Sequence, residues 1–116
     1  MIRPDSSDAV RGLAALALEQ QDYQEAYDLH RRLIDMGERG AELFYNAGLV
    51  CQKRNMTEEA VKFYQQALTE EPEFAEALLN LGHALMSLGQ EEEARSFWRR
   101  AIREKPELAQ TYFEPA

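Results

Sequence analysis

Residues 41–74 read AELFYNAGLVCQKRNMTEEAVKFYQQALTEEPEF, and residues 75–108 read AEALLNLGHALMSLGQEEEARSFWRRAIREKPEL. Laid one over the other without a gap, they share twelve of 34 positions: Ala41/Ala75, Glu42/Glu76, Asn46/Asn80, Gly48/Gly82, Glu58/Glu92, Glu59/Glu93, Ala60/Ala94, Phe63/Phe97, Ala67/Ala101, Glu70/Glu104, Pro72/Pro106 and Glu73/Glu107. Composition alone gives roughly two such matches, because each common residue makes up only some per cent of a chain. A further step back puts 7–40 in the same frame. There Ala9/Ala77, Leu13/Leu81, Glu25/Glu93, Ala26/Ala94, Arg31/Arg99, Arg32/Arg100 and Ile34/Ile102 match the third unit. A fixed period without insertions marks one supersecondary unit used three times.

Each unit reads as two helices. In the third, Leu78, Leu81, Leu85 and Leu88 recur at helical spacing, and Gly89 ends the run as a left-handed cap residue. Glu91, Glu92 and Glu93 open a second helix, where carboxylates favour the positive end of the dipole. Its apolar side is Ala94, Phe97, Trp98, Ala101 and Ile102, and Pro106 closes the unit. The second unit repeats this with Phe44, Ala47 and Cys51, then Thr57 as the expected N-cap before Ala60, Phe63, Tyr64 and Ala67. In the first, Asp22 to Glu25 has capping-box spacing, and Gly37 or Gly40 stops the second helix. Sustained period-two alternation is absent, so the expected fold is all-α.

Gly48, Gly82, Ala60, Ala94, Ala67 and Ala101 are small residues where two helices must come close, with aromatics beside them to fill the gaps. This pattern resembles the tetratricopeptide-repeat (TPR) family, whose signature is W-x2-L-G-x2-Y…A-x3-F…P over 34 residues. The third unit carries Leu78, Leu81-Gly82, Leu85, Ala94, Trp98, Ala101 and Pro106. The second carries Phe44, Ala47-Gly48, Cys51, Ala60, Tyr64, Ala67 and Pro72. The first diverges most: Val10, Leu13-Ala14, Ala17, Ala26 and His30 fit, but Leu33 replaces the small residue and Glu38 the proline. The resemblance implies a right-handed α-solenoid of three antiparallel helix pairs. Residues 1–6 are a lead-in, 7–40, 41–74 and 75–108 are the repeats, and 109–116 form a short C-terminal helical stub.

The resemblance further implies a concave groove lined by the first helix of each pair, holding a peptide segment of a partner. The groove residues expected from it are Arg11 and Leu18 in the first unit; Glu42, Tyr45, Asn46, Leu49 and Lys53 in the second; and Glu76, Leu79, Asn80, His83 and Met86 in the third. Several are apolar where a solvated helix is polar, which is the mark of an interaction surface. Asn46 and Asn80 sit one repeat apart, and an amide can pair with peptide backbone of any sequence. It can equally bond a neighbouring helix. The chaperone-tail clamp of some TPR proteins uses Lys, Asn, Asn, Lys and Arg; those places hold Arg11, Ala15, Asn46, Glu76 and Asn80. Glu76 opposes a terminal carboxylate there, so that ligand is not expected. Asp8, Glu42 and Glu76 form a row of acids at first-helix starts, which serves the helix dipole or selects a basic ligand.

With 116 residues, 45% apolar and 29% charged, the chain is one folded domain in size and composition. Thirteen Lys and Arg against 21 Asp and Glu give a net charge of −8, the wrong field for nucleic acid or an anionic membrane. A basic or apolar protein segment is the expected partner. The one cysteine, Cys51, lies in the packing register, and His30 and His83 lack metal-site spacing. His30 is expected in the core, and His83 toward the groove. Arg95, Arg99, Arg100 and Arg103 read as a solvated helix face balanced by Glu91–Glu93. Without a phosphate loop or a nucleophile beside a base, the chain reads as a non-enzyme needing no cofactor. The acidic N-terminus and the short apolar run from Gly12 to Leu18 fit neither a signal peptide nor a span, so a cytoplasmic location is expected. Leu108, Tyr112 and Phe113 begin a helix too short to cap the array, so apolar surface from Trp98, Ile102 or Phe113 is expected to stay partly open at the C-terminal end, favouring self-association or a stable partner. Small TPR chaperones of type III secretion are an alternative resemblance, though they carry flanking helices. A purely structural subunit is a third.

Overall fold

The computed structural model describes residues 6–112. Its helices are α1 Ser7–Glu19, α2 Tyr23–Asp35, α3 Ala41–Lys53, α4 Thr57–Glu70, α5 Ala75–Ser87, α6 Glu91–Glu104 and α7 Glu107–Tyr112. They pair as the hairpins α1/α2, α3/α4 and α5/α6, stacked into a body 50 Å long and about half as wide. No strand occurs among the described residues.

Each hairpin turns in the same way. Gln21, Asn55 and Gly89 occupy equivalent places after the first helix, and all three have positive φ, at 60°, 61° and 81°. The next residue's N–H then reaches back to the helix: Asp22 to Ala17 O at 2.9 Å, Met56 to Cys51 O at 2.8 Å and Gln90 to Leu85 O at 2.9 Å. These are Schellman closures, which satisfy carbonyls left open at the helix end. Only Gly89 adopts that backbone without strain.

The second helices stop by two means. Those of the second and third units end at Glu71 and Lys105, whose extended φ of −141° and −143° suits a residue followed by proline. α2 ends instead at Gly37, with φ 91° and a Glu38 N–H bond to Leu33 O. At the starts, Asp22 caps α2 by accepting from the Glu25 N–H at 3.2 Å. Thr57 is not the N-cap of α4, as its sequence suggested. Met56 holds that place without a side-chain bond, and Thr57 is the first helical residue.

Within a hairpin the helices touch through glycine. A Cβ on Gly48 would lie 2.5 Å from the Tyr64 ring, and one on Gly82 would lie 2.4 Å from Trp98. Ala14 takes this place in the first hairpin, opposite the smaller His30. The central core joins Phe44, Ala47, Cys51, Phe63 and Tyr64 to Ala77, Leu81 and Leu85 of the next hairpin. Val10, Ala14, Ala26, Leu29 and Leu33 form a second cluster with Val50. Leu78, Leu79 and Ala101 form a third with Leu108 of α7. Burial pushes the Cys51 thiol up to about 12, so it is a packing residue rather than a nucleophile.

Among the described residues the most exposed large apolar side chains belong to the first hairpin, and the expected ones are half-buried. Leu13 and Leu16 are 49% and 46% exposed, whereas Trp98 and Ile102 are half-buried and Phe113 lies outside the described residues. Leu13 is equivalent to Leu81, which is fully buried because the preceding hairpin covers it. No described element covers α1 in that way.

Two pairs of substitutions test these assignments by urea unfolding. Gly89→Ala meets no atom within 4 Å yet forces positive φ, and should cost about 1 kcal/mol. Gln21→Gly should stabilise by up to about 1 kcal/mol by releasing the same strain. Leu81→Ala should cost about 2–5 kcal/mol and its counterpart Leu13→Ala less than about 0.5 kcal/mol.

Candidate functional site

The first helices α1, α3 and α5 lie side by side, and the two intervals between them differ. Between α3 and α5 the space is filled. Tyr45 packs at tilted angles against Phe74 and Tyr64, with ring centres 4.9 and 6.0 Å away, and its hydroxyl accepts from Asn80 Nδ2 at 3.2 Å. The Tyr64 hydroxyl donates to Gln52 Oε1. Leu79, expected on the groove surface, is 3% exposed and packs with Leu78, Ala101 and Leu108. Met86 packs on the central core, and His83 lies 5.3 Å from the Trp98 ring, where burial lowers its pKa. Lys105 bonds Glu76 at 2.8 Å and holds that carboxyl below its ordinary range.

Between α1 and α3 the same interval is open. A cavity of about 360 Å³ is lined by Arg11, Ala14, Ala15, Leu18, His30, Leu33, Glu42, Leu43 and Asn46. Its origin is a set of substitutions at equivalent places. His30 stands where the later units have Tyr64 and Trp98, Ala15 where they have Leu49 and His83, and Gly40 where they have Phe74 and Leu108. Arg11 replaces the packed Tyr45 and Leu79, and turns its guanidinium to the Glu38 carboxylate. Each exchange removes volume or moves it aside.

The cavity's polar groups are largely unused. His30 is 4% exposed, and its Nδ1 lies 2.7 Å from Ala26 O. A carbonyl oxygen only accepts, so Nδ1 carries the proton and Nε2 keeps its lone pair. Among the described residues Nε2 has no hydrogen-bond partner, nor have the side chains of Glu42 and Asn46. Asn46 and Asn80 therefore differ: Asn80 is spent on Tyr45, and Asn46 is open. Burial lowers the His30 pKa, with the Ala26 bond opposing weakly, so the ring is a neutral acceptor at pH 7.

Of the expected groove residues, Arg11, Leu18, Glu42 and Asn46 meet at this cavity, and Tyr45, Asn80, Glu76 and Leu79 are engaged in packing or internal bonds. Leu49 is half-buried on α3, and Lys53 is exposed in its last turn; neither lines the cavity. Ala14, His30, Leu33 and Leu43 also line it and were not among the expected groove residues. The signal for an open interval lay in the comparison of repeats, where His30, Ala15 and Gly40 are smaller than their counterparts in the later units. A wider hollow of about 740 Å³ lies on the other face, along α2 and α4, where Arg31 pairs with Glu59 at 3.9 Å and Tyr27 donates to Glu59 at 2.7 Å. No helix of the described residues is long and apolar enough to cross a membrane.

Stacked helical hairpins with a lined inner face define the class of interaction solenoids. Two tetratricopeptide-repeat models match the sequence, over residues 53–112 and 13–70, and the chain belongs to the tetratricopeptide-repeat family. That family serves as a scaffold for protein–protein interaction. A comparison with curated protein sequences finds no match. Among solved structures the fold is similar to that of YrrB, described as a TPR protein with an unusual peptide-binding site, at 24% identity and a TM-score of 0.87 over 94% of this chain and 56% of that one. It is similar to MamA at 23% identity and a TM-score of 0.81, over 93% of this chain and 63% of that one. The TPR domain of Arabidopsis OM64 gives 18% identity and a TM-score of 0.81, over 86% and 83% of the two chains. The chain thus spans about three-fifths of the MamA and YrrB structures.

The buried neutral histidine makes stability depend on pH. Its folded pKa lies below the unfolded value of about 6.5, so the unfolded chain takes up the proton first as pH falls. The contribution is complete above that value and is lost in the window beneath it. The urea midpoint should fall between pH 7 and pH 5, and by less in His30→Gln; His83 contributes in the same direction.

Proposed function

We propose that the chain is a non-catalytic interaction module that holds a peptide segment of a partner protein in the groove between α1 and α3. One observation carries this reading. The cavity is walled by Ala14, Ala15, Leu18, Leu33 and Leu43 and presents three groups, Glu42, Asn46 and His30 Nε2, whose hydrogen-bonding capacity nothing in the described fold uses. A peptide offers complementary parts, namely backbone N–H and C=O for Asn46 and a side chain for the apolar walls. The likeness to YrrB supports a peptide ligand over a small molecule. The single thiol, buried as a packing residue, fits a reducing cytoplasmic setting.

The test is selection of displayed random dodecapeptides on the immobilised chain, followed by titration of the selected peptides. Ala15 is exposed at the cavity mouth, so Ala15→Trp blocks the groove without disturbing the core. It should weaken the selected peptides at least about tenfold, as loss of a central anchor does. Gln66→Trp, on the opposite hollow, should leave them unchanged. Equal loss with both variants, or with neither, overturns the groove.

A further inference from the structure

Resting on that reading, we propose that the cavity between α1 and α3 is a pocket for one arginine side chain of the bound peptide. The walls select a long side chain with an apolar stem, since Ala14, Ala15, Leu18, Leu33 and Leu43 offer nothing polar. The remaining lining groups select its head. His30, more than nine-tenths buried, offers a lone pair at Nε2 because Nδ1 is committed to Ala26 O. Glu42 offers a carboxylate with no ion-pair partner among the described residues, and Asn46 offers an amide oxygen. Three acceptors from α2 and α3 therefore surround one space.

A guanidinium is the side-chain group that matches this set. It is planar, carries five N–H donors directed in several directions, and is weakly enough hydrated to enter a part-buried site. An ammonium presents its donors from one point and satisfies fewer separated acceptors. A carboxylate would meet the Nε2 lone pair and Glu42, both of which repel it. Charge agrees with donor geometry. Arg11 lines the cavity but is balanced by Glu38 in an ion pair, so Glu42 leaves the mouth with an uncompensated negative charge. The chain's net charge of −8 draws a cationic peptide to it. The equivalent interval between α3 and α5 cannot serve, because Tyr45, Tyr64 and Phe74 occupy it.

The experiment uses the dodecapeptides selected on the full chain, resynthesised with each arginine replaced by citrulline, which keeps the shape and removes the charge, or by lysine. The expected result is one arginine common to the selected peptides. Citrulline there should weaken binding about tenfold or more, with lysine in between. Two variants locate the effect. Ala14→Gly/His30→Phe restores the glycine–aromatic pairing of the later repeats and fills the cavity, so the arginine-to-citrulline difference should vanish while thermal stability is kept or raised. Glu42→Gln, at an exposed position where it gives up the favourable helix-dipole interaction but no packing contact, should shrink that difference about threefold to tenfold, and most at low salt.

Peptides that share no arginine, or that share an acidic residue, overturn the proposal and leave the groove reading intact. So does an arginine preference that survives both variants. Failure to select any peptide overturns the groove reading and this one with it.

Discussion

Helix pairs in this chain close on a contact between a residue without a side chain and an aromatic ring. Gly48 meets Tyr64 and Gly82 meets Trp98 at distances where a Cβ would stand 2.5 and 2.4 Å from ring atoms. Real Cβ atoms do not approach so closely, so in these hairpins a methyl group would require the ring or the helix to move. The constraint couples two positions that are 16 residues apart in sequence. The first hairpin satisfies it in another way, by pairing Ala14 with the smaller His30. That exchange keeps the helices in contact while withdrawing ring volume from the inner face. Packing and site are thus one event: the cavity is what remains when the hairpin closes on an imidazole in place of a phenol or an indole.

Much of this was legible in the sequence. A period of 34 residues, caps at Asp22 and Gly89, and small residues facing aromatics fix the elements and their pairing, because local signals and packing agree there. Other features were hidden because a neighbour imposes them. Gln21 takes a positive φ that its residue type does not announce, unlike Asn55 and Gly89 at the equivalent places, since the hairpin turn demands it of whatever occupies the place. Leu79 reads as a groove residue by register, yet Leu108 covers it. Leu13 reads as core by equivalence with Leu81, yet nothing described lies over it. For both leucines the side chain's fate depends on the element packed next to it, α7 for Leu79 and a preceding hairpin for Leu13, which a single helix's periodicity does not encode. Thr57 shows the converse: a good capping residue stands one place inside the helix, because the turn geometry places Met56 at the boundary.

The acids at the starts of the first helices show how equivalent residues acquire different roles. Asp8, Glu42 and Glu76 share one place in the repeat. All three benefit from the helix dipole, an effect of about 0.3–1 kcal/mol at an exposed terminus. Glu76 is also bound by Lys105 and has its charge compensated. Glu42 lacks such a partner and faces the cavity. A row that seemed uniform in sequence therefore contains one compensated charge and one available charge, and it is the available one that borders the open interval.

In a repeat protein the shared positions specify the scaffold, so recognition must arise where the copies differ. The fillers of the second interval, Tyr45, Tyr64 and Phe74, contribute to the largest core and join two hairpins. Emptying that interval would remove contacts from both sides of the stack. The first interval belongs to a hairpin that packs on only one described neighbour, and its cluster is held by Val10, Leu29, Leu33 and Val50 without need of the missing rings. The cavity at the first junction of the described repeats is therefore an unfilled, polar-lined space beside a cluster that holds without it, and a ligand's side chain can restore there the packing that the later repeats provide for themselves.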